Sequence, residues 1–439
     1  MPITENTTID RRPPEEEYVD LNEVVKEPHI EQKPSGGVGT MCFLGLLAAC
    51  IPLSTDMYLP ALPVMARNLH ASTQIISLTL TLFFACFSIT SLLWGPLSDK
   101  YGRKSTLYTG LSIFAVSTIL CSFCANAQQL IICRVLQAVG GASTPAISTA
   151  LAKDMFHGRK REKCLVIIQS MLLVGPMVAP VFGALILKFT SWRGIFWVVS
   201  MLGVAAIVWS SFIREPAIVR HKGSIFTTFC QLGIVLKNPG FTSLLVPFSL
   251  VLMPMFAYIS ASSFIYIKEF RVSEFGYSYF FTLNAICQVL GPILFLHLSR
   301  HMHNKAIINV CFGLMTVSGL SICLLGHLCP WAFLLSIIPA SFASGIIRPP
   351  STNLMLEQEH NAVGSASSLI NFALGMAGSI GMLIVSCCQR SLIMPLGIVH
   401  LGAGLICGGC WLYVSDKPFI RHTPHTHKAA SGIDEFGNN

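Results

Sequence analysis

The sequence predicts an all-α polytopic membrane protein, with twelve transmembrane helices in two six-helix bundles. Three observations carry this. The 439 residues are 53% hydrophobic and only 11% charged, with a mean hydropathy of +0.64, too apolar and too poor in charge for an ordinary soluble domain. The apolar residues gather into twelve runs, at about 39–59, 73–97, 105–124, 128–152, 164–188, 192–213, 241–267, 277–300, 306–326, 331–354, 363–389 and 391–414, each near the roughly 20 residues that cross a hydrocarbon core. The runs are continuously apolar and lack the period-2 alternation of a membrane barrel strand.

In chain order, residues 1–38 are polar and acidic, which suits a cytoplasmic tail rather than a secretory leader. Six runs follow over 39–213. The polar stretch 214–240, REPAIVRHKGSIFTTFCQLGIVLKNPG, reads as a cytoplasmic linker dividing the runs six and six, and the second bundle takes 241–414. A faint internal echo supports duplication: Phe83-Phe84 precedes Gly95-Pro96, and Phe280-Phe281 precedes Gly291-Pro292. Paired halves are what a rocker-type carrier requires. Residues 415–439 form a His-containing tail; its HTPHTHK at 422–428 reads as a solvated segment, and we assign no metal site.

Charge sets the orientation. Nine acids lie in the first tail, leaving the body 12 acids against 25 Lys and Arg. With the N-terminus inside, the cytoplasmic loops carry Lys100, Arg103, Lys104, Lys153, Arg159, Lys160, Arg161, Lys163, Arg214, Arg220, Lys222, Lys237, Arg300 and Lys305. The opposite side carries Arg67, Lys188, Arg193, Lys268, Arg271 and Arg390. Fourteen against six places both termini in the cytoplasm. The basic excess therefore reads as topology, not as nucleic-acid binding. The sixteen cysteines sit mostly inside apolar runs and read as buried small hydrophobes.

An ionisable group inside the hydrocarbon costs at least a few kcal/mol (about 2.5–3.5 on insertion scales), so each is a functional hypothesis by default. Outside the first tail, Asp56 is the acid that falls within a span, in IPLSTDMYLPALP near the outer end of the first run. Burial disfavours its charged form and a nearby cation favours it, so a balanced carboxyl can take up and release a proton. The alternative is that Asp56 and Pro60 simply end the helix in solvent. Arg134 opens RVLQAVGGAS about two turns into the fourth run, at a depth matching Asp56, and the two are expected to share one polar cavity; the alternative is snorkelling to the outer headgroups. Arg348, in SGIIRPPSTN, sits toward the cytoplasmic end of the tenth run, where snorkelling to the inner interface is favoured over a substrate role.

Between the second and third runs lies GPLSDKYGRKS, residues 95–105. Asp99 and Arg103, four apart, can share one face of a short turn, the acid facing a helix N-terminus and the cation an acid such as Asp154. Such a lock, with Gly95 and Gly102, would hold the cytoplasmic ends of the bundles together in an outward-open state. Small residues mark close approaches: Gly140, Gly141 and Ala142 in the fourth run; Gly375, Ala377, Gly378 and Gly381 in the eleventh. In the fifth run, Gly175 and Gly183 accompany Pro176 and Pro180, which remove backbone donors and permit a bend.

Taken together, STDMYLPALP (54–63), GPLSDKYGRKS (95–105), RVLQAVGGAS (134–143), GPMVAPVFGA (175–184) and SWRGIFWV (191–198) resemble the Bcr/CflA multidrug-efflux branch of the major facilitator transporters. The likeness is specific over residues 40–200; beyond 214 it rests mainly on GSASSLINFAL at 364–374. It implies the major facilitator fold and drug:proton antiport, with proton coupling and drug binding mapped to Asp56 and the arginine of the helix 4 motif to Arg134. The antiporter motif of helix 5 maps to Gly175, Pro176, Pro180 and Gly183, with Ala184 standing where a second glycine is expected.

The expectation is therefore a proton-coupled secondary transporter of the inner (cytoplasmic) membrane, monomeric, exporting small amphipathic compounds, with no cofactor. Tyr58, Gln137, Phe256 and Tyr258 are expected to line its cavity. A same-fold alternative carries a natural metabolite such as a siderophore, nucleoside or amino-acid derivative. A membrane enzyme would need a water-facing catalytic cluster or a P-loop, and the loops show neither; a transporter-like sensor would show no net flux.

Overall fold

The computed structural model describes residues 37–213, 215, 225–359, 362–388, 391–418 and 420. The expected acidic tail, the middle of the linker and the His-containing tail lie outside these residues. Among them, twelve helices are long and apolar enough to cross a membrane: Val38–Asn68 (span 1), Thr73–Tyr101 (2), Arg103–Phe123 (3), Ala127–Met155 (4), Gly158–Phe189 (5), Trp192–Ser211 (6), Pro239–Glu269 (7), Glu274–Leu298 (8), Asn304–Leu325 (9), Pro330–Glu357 (10), Val363–Ser386 (11) and Ile393–Val414 (12). The stretch read as a linker contains a further helix, Ile225–Leu236.

Connections between spans are short, so neighbours run antiparallel. Spans 2 and 3 are joined by Gly102 alone, at φ 96°, a conformation that a side chain with a Cβ adopts only with strain. We call the face at which span 1 begins basal and the opposite face distal.

Span 1 is longer than the apolar run that predicts it. Its α-helix gives way after Asp56 to a tight 3₁₀ turn, Leu59–Ala61, and resumes at Leu62–Asn68. Pro60 is the cause: lacking an N–H, it cannot bond the carbonyl four residues back, which is that of Asp56. Asp56 therefore lies in mid-span, about 18 Å short of the end at Asn68, and not near the outer end of the helix. Span 7 breaks in the same way. Its first helix stops at Leu250, four residues before Pro254, and the second starts at Met253.

The apolar side chains form three cores. One occupies the distal half and takes residues from both bundles, including Tyr58, Leu62 and Phe83 from the first and Phe264, Tyr277 and Phe281 from the second. The basal half has two. Phe43, Leu107, Leu151 and Phe156 fill one in the first bundle, and Phe241, Phe295, Ile346 and Met355 fill another in the second, with Leu92 of span 2 packed against its edge. Polar ties follow the same division. Lys268 donates to Thr73 Oγ1 (2.8 Å), Ser278 to the Pro180 carbonyl (2.8 Å) and Thr282 to the Met177 carbonyl (2.7 Å), all between bundles. At the basal end, among the described residues, the ties stay within a bundle: Lys104 N–H to Glu215 (3.0 Å), Asn238 to the Gln358 carbonyl (2.8 Å) and Lys305 to Asp416 (2.5 Å). The bundles share one core distally, whereas basally each has its own.

Candidate functional site

Arg134 lies on span 4 and is fully buried, as are Gln137 and Tyr58. Its guanidinium is stacked between the rings of Tyr58 and Phe83, each 4.4 Å from the guanidinium carbon, with Phe196 at 6.0 Å. One Nη donates to the Ser54 carbonyl (3.1 Å) and to Gln137 Oε1 (2.5 Å). Gln137 is held in turn by donating to Thr118 Oγ1 (2.6 Å), and the Tyr58 hydroxyl bonds Thr79 (3.2 Å). Stacking of a desolvated cation on aromatic faces contributes about 2 kcal/mol or more per site, which offsets part of the cost of burial. The other two guanidinium nitrogens, Nε and the second Nη, have no partner.

Asp56 sits two residues from the carbonyl that Arg134 grips. It is 5% exposed, which rules out the solvated helix-end alternative. Its Oδ1 accepts from Thr55 Oγ1 (3.1 Å). No ion pair joins it to Arg134 among the described residues, although the charge of Arg134 acts on it through space. Tyr277, from the second bundle, is likewise within electrostatic reach of Asp56. Asp56, Arg134, Tyr58 and Gln137 are thus brought together, but as a sealed cluster and not as a water-filled cavity. A carboxyl held without an ion pair and shut off from water can exchange its proton only when the packing around it opens.

The other expected cavity residues lie elsewhere. Tyr258 is 2% exposed and packed between Phe281 and Phe333 in the distal core, so it does not line an opening. Phe256 is half-buried, edge-on to Phe84 of span 2 at 4.8 Å, and Gly378 of span 11 leaves it room; it belongs to the seam between bundles. Arg134's aromatic neighbours Phe83 and Phe196 were not legible as site residues, since they come from spans 2 and 6 at no characteristic spacing.

Span 5 supports the break in span 1. A Cβ at Gly175 would sit 2.6 Å from Pro52, and one at Gly183 would overlap the Met57 carbonyl, so a glycine at 183 is what lets span 5 touch the backbone beside Asp56. Pro176 and Pro180 lie between these two contacts, where span 5 also offers the Met177 and Pro180 carbonyls to span 8.

At the basal end, Arg103 Nε bonds Asp154 Oδ2 (2.9 Å), and one Nη bonds Asp99 Oδ1 (2.5 Å) and Ser98 Oγ (2.5 Å). Asp99 therefore pairs with Arg103, the first residue of the span 3 helix. All these residues belong to the first bundle, and a Cβ at Gly95 would meet nothing within 4 Å. The lock's parts are assembled but hold one bundle, not two. Arg348 is not at the end of span 10, which runs nine residues further to Glu357.

The family model of the Major Facilitator Superfamily matches residues 44–382. The chain is 27% identical over 353 residues to a bicyclomycin resistance protein homologue of Haemophilus influenzae, covering 78% of this chain and 88% of that protein. It is 26% identical over 364 residues to a chloramphenicol resistance protein of Pseudomonas aeruginosa, covering 80% and 84%. Among solved structures, a D-xylose-proton symporter superposes with a TM-score of 0.68 at 13% identity, covering 84% of this chain and 96% of that one; this is a likeness of fold.

Proposed function

Because the chain belongs to the Major Facilitator Superfamily, a family of membrane transporters and not of enzymes, we propose that it exports small amphipathic compounds in exchange for protons by alternating access. The observation that carries the coupling is the sealed Asp56: one buried carboxyl at a helix break, beside the distal core that both bundles build. The similarity to two drug-resistance proteins supports the substrate class.

In this reading the basal face is cytoplasmic, which the excess of Lys and Arg in its loops supports. Both termini then lie in the cytoplasm, the membrane is the cytoplasmic one, and the conformation is inward-open. Residues 1–38, the linker 214–240 and the tail from 415 all belong to the cytoplasmic side, and 39–213 and 241–414 are the two rocking units. One chain supplies both walls of the opening, so the monomer is the working unit. Asp56 carries the proton or meets the substrate, and Arg134 biases which of these it does. Arg103, Asp99 and Asp154, with Gly95 and Gly102, close the basal end in the alternate state, and Gly175, Pro176, Pro180 and Gly183 let span 5 bend as that happens.

The test is proton-gradient-driven movement of a hydrophobic cation and a neutral phenicol in reconstituted vesicles, native protein against Asp56→Asn. Drug flux that falls at least 100-fold in the variant supports the proposal. Undiminished flux in Asp56→Asn removes Asp56 from the mechanism, and no drug flux in folded native protein moves the assignment to a metabolite carrier on the same fold.

A further inference from the structure

Arg348 is a buried-depth cation that the coupling site does not use. It lies nine residues inside the basal end of span 10, about 13 Å along the helix, yet its side chain is exposed. Exposure that deep means either lipid or an opening in the protein, and the helix register decides between them. Trp331 and Leu335, 50% and 63% exposed, mark the outward stripe of span 10. At 3.6 residues per turn, Arg348 lies roughly 100–140° around the helix from that stripe. It shares a face instead with Ile337, eleven residues or about three turns earlier, and Ile337 packs in the distal core that both bundles build. Arg348 therefore occupies the same face lower down, below the core that the two bundles share.

Among the described residues nothing neutralises it. Its guanidinium makes no hydrogen bond or ion pair among the described residues, and no acidic side chain acts on it through space. Of the acids in the basal half, Asp99 and Asp154 are engaged on Arg103 and Glu215 on Lys104, and Glu357 stands at the basal end of the same span, nine residues from Arg348. The near wall is polar and uncharged. Asn284 of span 8 accepts from Ser341, one helical face above, and the span 8 backbone at Gln288 abuts Gly345. An unpaired cation this deep would be costly if lipid faced it. A water-filled opening removes most of that cost and leaves five unspent donors in a planar fork, the geometry that binds a carboxylate through two parallel hydrogen bonds.

We propose that Arg348 is the anchor of a substrate subsite for an anionic group, so that the compounds carried include small amphipathic molecules bearing a carboxylate. This rests on the transporter reading above and narrows it: Asp56 handles the proton, and Arg348 selects the charge of the cargo from the second bundle.

The experiment uses the full-length protein and a matched pair of probes, a carboxylated xanthene dye and its methyl ester, which differ in that one charge. Binding of each is titrated in detergent by fluorescence anisotropy, and the same pair is then followed in vesicles under a proton gradient. Native protein is expected to prefer the acid at least tenfold, equivalent to about 1.4 kcal/mol. The acid-to-ester ratio should fall to near one in Arg348→Gln and stay above threefold in Arg348→Lys, which keeps the charge but not the fork. The ratio is read within one preparation, so partial misfolding lowers both titrations and leaves it unmoved. Native protein with no acid preference, or Arg348→Gln with the native ratio, overturns the subsite. Preferential binding of the acid without proton-driven flux of either dye upholds the subsite and overturns export; flux of the ester and of a hydrophobic cation without acid preference does the reverse.

Discussion

In the distal half, Tyr58 and Leu62 of the first bundle share one core with Phe264 and Tyr277 of the second; in the basal half, Phe43 and Leu151 pack in one core and Phe241 and Ile346 in another. The same twelve helices build both halves. The difference teaches that packing free energy in this conformation is spread unevenly along the membrane normal, with side chains of both bundles excluding water together at one end and separately at the other. Transport requires that this asymmetry can be reversed, so residues joining the bundles distally and residues free to join them basally should respond to substitution in opposite ways.

The largest effect is expected from Gly183→Leu, because the new side chain would displace span 5 from the Met57 carbonyl. Overpacking of this kind costs about 1–3 kcal/mol and sometimes more, and a lower melting temperature of the purified protein checks it. Gly95→Leu is the counterpart at the basal end, where a Cβ meets open space. Its melting temperature should stay near native while flux falls, if closure brings the second bundle against residue 95. A loss of stability at Gly95 as large as at Gly183 would mean that the two ends do not differ as described.

Asp154→Asn comes next. It removes the charge that Arg103 Nε meets on span 4; such a charge-assisted bond is worth about 1.5–3 kcal/mol when buried. Partial exposure of the pair brings the expected loss down to about 1 kcal/mol, visible as a small shift in melting and, in transport assays, as slower return to the basally closed state. The smallest effect belongs to Lys268→Met, which deletes one exposed distal tie. About 0.5 kcal/mol, or roughly twofold in the population of distally open protein, is expected. Spin labels at Lys153→Cys and Thr352→Cys would report it as a gain in the shorter basal distance.

Much of this was legible beforehand for reasons that particular residues make plain. The spans follow from hydropathy, because the hydrocarbon forbids unsatisfied backbone and few charges interrupt the runs. Arg103 and Asp154 could be matched because both fall at the same end of spans 2–3 and 4. Asp56 and Arg134 could be matched by depth. Span 1 is longer than its apolar run, because the helix resumes after Pro60 at Leu62–Asn68, with Pro63 in the first turn, where its missing N–H costs nothing. Tyr258 was misplaced because an aromatic on a span gives no sign of whether it faces an opening or, as here, Phe281 and Phe333.

Sequence alone determined the number of spans, the chain's division into halves, the side on which the cations gather and the identity of the few charges that enter the membrane, since these depend on local composition and on the cost of moving polar groups into hydrocarbon. Tertiary structure decided that Arg134 is caged by Tyr58, Phe83 and Phe196, that Asp56 is buried with no ion pair among the described residues, and that Arg348 is exposed well inside span 10. Those outcomes depend on contacts between helices far apart in the chain, and the register and tilt that create such contacts come from packing that no local pattern encodes.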